Sequence, residues 1–244
     1  MFFTRFPVNM TRRSSRAMLS EPYRLHAAIA GSFPPGAQDE EGRVLWRVDK
    51  GPGGSVLLYI VSPTQPSLVG LNEQIGWPDL PPQWQTKDYD PFLDRIERGQ
   101  LYGFRLTANP VLSTKLGEGQ RSKRVGHLTV LQQTAWLAGS EAFVQAGADV
   151  PDLFTRQKTS RAERNGFVIA RDADDVLQVM LTESRKRVVR KQGGGKDITL
   201  AMAQYDGVLE VLDPDLLRKA LINGIGHGKG FGCGLLTLVP VDTP

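Results

Sequence analysis

Asp213-Pro214-Asp215-Leu216-Leu217-Arg218-Lys219-Ala220-Leu221-Ile222-Asn223 runs directly into Gly224-Ile225-Gly226-His227-Gly228-Lys229-Gly230-Phe231-Gly232-Cys233-Gly234, and then into Leu235-Leu236-Thr237-Leu238-Val239. Asp213 is a good N-cap and Pro214 is tolerated in a first helical turn, so a helix runs from here to about Ile222. The apolar run after Gly234 reads as a buried closing strand. Between the two, Gly224, Gly226, Gly228, Gly230, Gly232 and Gly234 fall on every second residue. A backbone without Cβ atoms at alternate positions can take up strained φ/ψ values and lie close against a ligand or another strand. Its bare amides, with Lys229 among them, suit phosphate oxygens. Neither common nucleotide motif fits, because G-x-G-x-x-G needs a glycine at an odd offset and Gly228-Lys229 is followed by Gly230 rather than Ser or Thr. A tight helix-to-strand crossing explains some of these glycines easily and six in alternation only with difficulty.

Outward from this segment, the second half opens with a strand at 101–108, the Asn109-Pro110 turn and a basic loop holding Lys115, Arg121, Lys123 and Arg124. A helix over 128–145, strands at 167–170 and 176–181, a basic ribbon over 185–203 and a strand at 208–212 complete it. Reduced to essentials the order is β-α-β-β-α-β with an inserted hairpin, the ferredoxin-like arrangement. The first half reads as a strand at 2–8, a basic loop, a helix from about 21 to 33, and strands at 44–48 and 55–61 around Gly51, Gly53 and Gly54. That supports β-α-β-β. Pro78, Pro81, Pro82 and Pro91, interleaved with Trp77, Trp84 and Tyr89, then mark an extended connection packed on the fold. The expected fold class is α+β, with two tandem ferredoxin-like domains covering 1–95 and 96–244.

Composition narrows the classes. With 244 residues, of which 40% are hydrophobic, the chain is long enough for two modest domains. Thirty Lys and Arg against 26 Asp and Glu give a formal charge of +4, too mild to name a partner. A lone cysteine, Cys233, excludes an internal disulfide, and three scattered histidines offer no zinc cluster, so no metal or other cofactor is expected. No apolar run approaches the roughly 18–20 residues of a membrane span, and no signal-peptide core is visible, which points to the cytoplasm. The first twenty residues carry Arg5, Arg12, Arg13 and Arg16 and no acid, much like an organellar transit peptide; Phe2, Phe3, Phe6 and Val8 instead have strand composition.

Two stretches carry candidate chemistry. Ser20-Glu21-Pro22-Tyr23-Arg24-Leu25-His26 reads as a helix start, with Ser20 as cap and Leu25, Ala28, Ile29 and Phe33 as an apolar stripe. Tyr23 and His26, three apart, are neighbours on one face. They can be an ordinary edge-of-core pair. Imidazole is also the natural proton carrier near neutral pH, and cleavage of RNA through its 2′-hydroxyl needs a proton donor and acceptor but no metal. The second stretch holds Arg185, Lys186, Arg187, Arg190, Lys191 and Lys196 without an acid. On a hairpin, adjacent residues such as 185 and 186, or 190 and 191, point to opposite faces, so charge surrounds the ribbon. That suits the phosphates lining a groove of folded RNA; a lysine- and arginine-protected edge hairpin is the plain alternative. Arg156, Lys158, Arg161 and Arg164 form a weaker basic segment before a strand. His127 is expected at a helix start, and His227 faces phosphate or solvent.

Phe-Phe-Thr-Arg-Phe at the start, Leu19 to Ala28, Phe33-Pro34, Asn109-Pro110, Lys123-Arg124-Val125-Gly126, Asp206-Gly-Val-Leu and the segment from Gly224 to Leu236 together resemble, in the same order, the CRISPR precursor-RNA endoribonuclease of type I-E systems, the CasE family. The resemblance implies two RRM-like domains, a metal-independent cut at the 3′ base of a repeat stem-loop, and a product that stays bound while the enzyme serves as a Cascade subunit. It places the catalytic histidine on His26 and the tyrosine on Tyr23. Arg24 and Lys229 are candidates for stabilising phosphate charge; where relatives often carry a basic residue straight after the histidine, this chain has Ala27. Lys123, Arg124, Arg156, Lys158, Arg161 and the basic hairpin become RNA contacts, and the glycine segment becomes an RNA-facing loop apart from the chemistry. A non-catalytic RNA-binding or scaffolding subunit of the same fold accounts for the basic hairpin equally well.

Overall fold

In β1 (Phe2–Val8), Thr4, Phe6 and Val8 are buried while Arg5 is exposed, the period-two signature of a strand with one covered face. The computed structural model describes residues 1–34, 42–81, 83–114, 123–127, 129–189 and 197–241. It falls into two compact units. One contains Met1–Arg95, Ile222–Gly224 and Gly228–Leu235, and the other contains Ile96–Leu221, Ile225–His227 and the chain from Leu236 onward.

In the first unit β1 is followed by α1 (Arg13–Ser20), α2 (Pro22–Ala30), β2 (Leu45–Lys50), β3 (Val56–Ser62), α3 (Val69–Ile75), β4 (Gln85–Asp88) and a single turn, α4 (Asp90–Leu93). The sheet order is β2-β3-β1-β4, and every neighbouring pair is antiparallel. This is a complete ferredoxin-like β-α-β-β-α-β unit. Its core joins Leu25 and Ile29 of α2 and Leu71 and Ile75 of α3 to Phe6, Val8, Leu58 and Ile60 of the sheet.

Three local readings change. The segment read as a basic loop contains α1, a largely polar helix in which Ser15 and Met18 alone are buried. Ser20 closes α1 by donating to the Ala17 carbonyl at 2.7 Å, so Glu21 stands at the N-cap of α2 without a side-chain cap bond and Pro22 follows as first residue. The stretch read as an extended connection supplies β4, whose Gln-Thr-Lys-Asp sequence lacks apolar residues because it is an edge strand, held to β1 through the ladder and a Thr4–Thr86 hydroxyl contact of 2.9 Å.

The second unit contains β5 (Leu101–Ala108), β6 (Val111–Thr114), β7 (Lys123–Gly126), α5 (Val130–Ala138), α6 (Glu141–Gln145), the short α7 (Asp152–Thr155), β8 (Phe167–Ile169), β9 (Val179–Val189), β10 (Ile198–Val211), most of α8 (Pro214–Asn223) and β11 (Leu236–Pro240). Its sheet order, β11-β5-β10-β8, repeats the first arrangement, so the fold is α+β with two antiparallel ferredoxin-like sheets. The strand expected at 208–212 is the end of β10, whose earlier residues pair with β9 as the long hairpin. The helix expected over 128–145 breaks at Gly139, which takes φ of +83° and donates back to Ala135 at 2.8 Å. No helix among the described residues is long and apolar enough to cross a membrane.

Candidate active site

Helix α2 buries Pro22, Leu25 and Ile29, which leaves Tyr23 and His26 half-buried at the border of that face. Trp46 reaches His26 from β2: the indole N–H donates to the imidazole Nδ1 at 3.3 Å. An indole nitrogen only donates, so Nδ1 must present its lone pair and the neutral ring carries its proton on Nε2. Burial holds the imidazolium below its ordinary value of 6.5. A donor facing Nδ1 works in the same sense, because it favours the neutral form.

The glycine segment closes over this pair. Residues 229–231 form a 3-10 turn flanked by Gly228 and Gly232, and Phe231 packs its ring edge-on against Tyr23 at 5.1 Å. Gly232 takes φ of +79°, and a Cβ there would lie 2.7 Å from the Trp46 ring, so glycine is required on both counts. At Gly230 a Cβ would stand 3.4 Å from His26 Nε2. The missing side chain leaves space beside the proton-bearing nitrogen. Gly224 faces Leu45 with similar closeness, whereas Gly226 lies against Trp136 in the second unit. Arg47 fastens the segment's far end by donating to the Leu235 carbonyl at 2.9 Å while it holds Asp49 through two bonds of 2.7 and 2.9 Å.

Lys229 sits on this turn half-buried, and its ammonium is held below its ordinary value first by burial and then by the charge of Arg43. Two neighbouring cations, one of them on the turn that approaches His26, suit an anion. Arg24 instead pairs with Glu21 at 3.5 Å, both side chains being about half exposed. Trp46 and Arg43 carry no sequence signal, since a contact between residues 20 apart follows from strand placement rather than from spacing.

The remaining candidates are spread over the second unit. Arg185, Lys186 and Arg187 lie on β9 opposite Met202, Ala201 and Leu200, and their alternation puts charge on both faces of the ribbon. Arg185 also meets Glu183 at 3.0 Å. Arg190, Lys191 and Lys196 lie outside the described residues. Lys123 and Arg124 belong to β7, paired with β6. Arg156 and Lys158 are exposed, and Arg161 lies over the Trp136 ring. His127 is buried against Phe154 just before α5, and His227 is exposed. Among the described residues no group of three or more His, Cys, Asp or Glu is placed to hold a metal ion.

Two ferredoxin-like sheets, the first covered by the helix that carries Tyr23 and His26, define the class. The chain belongs to the CRISPR associated protein family, whose model matches residues 1–240. It is 27% identical to the CRISPR-associated endoribonuclease Cse3 of Thermus thermophilus, a match that spans 98% of this chain and 100% of that protein. A structure of Thermus thermophilus Cse3 bound to an RNA representing a pre-cleavage complex aligns with a TM-score of 0.72 at 25% identity, covering 98% of each chain. A chain of a CRISPR RNA-guided surveillance complex shares the fold, with a TM-score of 0.58 at 22% identity over 99% of this chain and 100% of that one.

The Trp46 contact generates a pH test. Because folding favours the neutral imidazole, His26 adds stability above its ordinary value of 6.5, and that contribution is lost as pH falls through the lower folded value. Replacing Trp46 with benzothienylalanine, which keeps the shape and removes the N–H, is expected to let the neutral ring occupy both tautomers and to move the His26 midpoint upward. Nitrogen-15 shifts of the two ring nitrogens read both changes; identical shifts and an identical midpoint in the folded variant would contradict the assignment.

Proposed function

We propose that this chain is an endoribonuclease that cuts the stem-loop repeat of CRISPR precursor RNA and leaves a 2′,3′-cyclic phosphate and a 5′-hydroxyl. The observation that carries this reading is His26, with Nε2 beside the gap at Gly230 and Lys229, which feels the charge of Arg43, on the same turn. The 2′-hydroxyl upstream of the scissile phosphate attacks phosphorus in line, losing its proton to water, and the bond to the 5′-oxygen breaks. His26 Nε2 gives its proton to that leaving oxygen. Lys229 and Arg43 offset the negative charge that grows on the phosphoryl oxygens, and Tyr23, braced by Phe231, orients the attacking nucleotide.

The resting Trp46 contact adds a condition. An imidazolium carries protons on both nitrogens, so the indole must release Nδ1 when the acid is loaded. The phosphate of bound RNA favours the charged ring and so loads it when substrate is in place. We further infer that the product stays bound and that the enzyme is retained as a Cascade subunit in the cytoplasm, in keeping with the family membership and with the fold shared with a chain of a CRISPR RNA-guided surveillance complex.

Cleavage of a repeat stem-loop by metal-free protein in EDTA tests the reaction. His26→Ala is expected to slow the cut by about 10²–10⁴-fold, the usual range for one general acid, with RNA affinity retained. Binding without cleavage by the parent protein would make the chain a scaffold instead.

For the hairpin, we infer that β9 and β10 carry the RNA stem through phosphate contacts. Neutralising Arg185 and Lys186 together should weaken binding to any stem sequence and reduce the slope of log K against log salt by about one to two. An unchanged slope would remove the hairpin from the interface.

A further inference from the structure

The second unit holds a cavity of about 220 Å³ that the cut does not use. Buried His127, Trp136 and Phe154 form its floor, and Arg161 forms a wall. Gln157, Arg164 and His227 stand exposed at the rim. Two observations say what belongs there.

The first is an unmet hydrogen-bonding demand. Trp136 is 6% exposed, yet its indole N–H has no acceptor among the described residues, and neither has the buried Nε–H of Arg161. The Arg161 guanidinium lies 5.0 Å from the Trp136 ring centre, and both residues line the cavity. A buried donor left without a partner destabilises the fold, and an acceptor that reaches it is bound the more tightly for it. The other face of Trp136 is covered by Tyr205, with the rings 18° from parallel, so no base can stack on the indole. What the floor lacks is an oxygen acceptor.

The second is charge. Two arginines and two histidines line the cavity, and no carboxylate does so among the described residues. Burial and the neighbouring Arg164 both act against the Arg161 charge. Glu163, between the arginines in sequence, accepts from the Ser160 backbone N–H instead. An oxyanion satisfies the donors and the cations at once.

We propose that this cavity binds a phosphate group of single-stranded RNA, with Trp136 and Arg161 donating to one phosphoryl oxygen and Arg164 and His227 meeting the others at the rim. The RNA source rests on the endoribonuclease reading; the phosphate chemistry does not.

The test follows the Trp136 indole N–H resonance, assigned with Trp136→Phe, as uridine 5′-monophosphate, inorganic phosphate or uridine is added to the intact protein. The two phosphates should shift it saturably and uridine should not, and Arg161→Gln or the exposed Arg164→Ala should raise the apparent Kd about tenfold. No shift with either phosphate up to roughly 10 mM, where even a weak site registers, would overturn the site. An uncleavable repeat RNA with a single-stranded tail should displace the nucleotide. If it leaves the phosphate-induced shift untouched, the site binds free phosphate and the RNA assignment falls, whether or not the protein cuts.

Discussion

The site depends on a steric constraint, the absence of Cβ atoms where residues 228–234 cross α2 and β2. At Gly232 the backbone is left-handed and the Trp46 ring occupies the place of a side chain. The same approach seats the turn that carries Lys229 and Phe231, so one constraint positions a cation, an aromatic brace and an open edge of His26. A side chain at 232 would push the segment off β2 and separate all three. Arg47 makes the crossing durable: it is buried, it grips Asp49 with two bonds, and it holds the Leu235 carbonyl. Removing one partner of such a buried pair typically costs about 3–5 kcal/mol.

The electrostatics follow from that geometry. A half-buried imidazole with a donor on Nδ1 is biased toward its neutral form, and burial and Arg43 hold the Lys229 ammonium below its ordinary value. In the proposed reaction a phosphate relieves both conditions, which couples substrate binding to loading of the acid.

Much of the fold is legible in the sequence where local pattern and tertiary role coincide. The alternating residues of β1 and β5 and the Asp-Pro start of α8 are of this kind, as is the three-residue spacing of Tyr23 and His26. Elements that owe their form to neighbours are not legible. β4 is polar because one edge pairs with β1 and the other faces outward, and α1 is polar because so little of it is covered. The glycine segment shows both sides of this. Its bare backbone can be read directly, but its target cannot, because His26 and Trp46 are brought to it only by the sheet. A sequence reading keeps the loop apart from His26, and the structure brings Gly230 beside His26 and Gly232 against Trp46.

The most direct measurement is single-turnover cleavage by Gly230→Val alongside its RNA affinity. Gly230 is not left-handed, and a Cβ meets His26 Nε2 at an ordinary contact distance, so the variant can fold while its methyl groups fill the gap. Cleavage is expected to slow by about 10²-fold, the loss that a misplacement of about 1 Å can cause, with affinity unchanged. A folded Gly230→Val protein that cuts at the parent rate would contradict it.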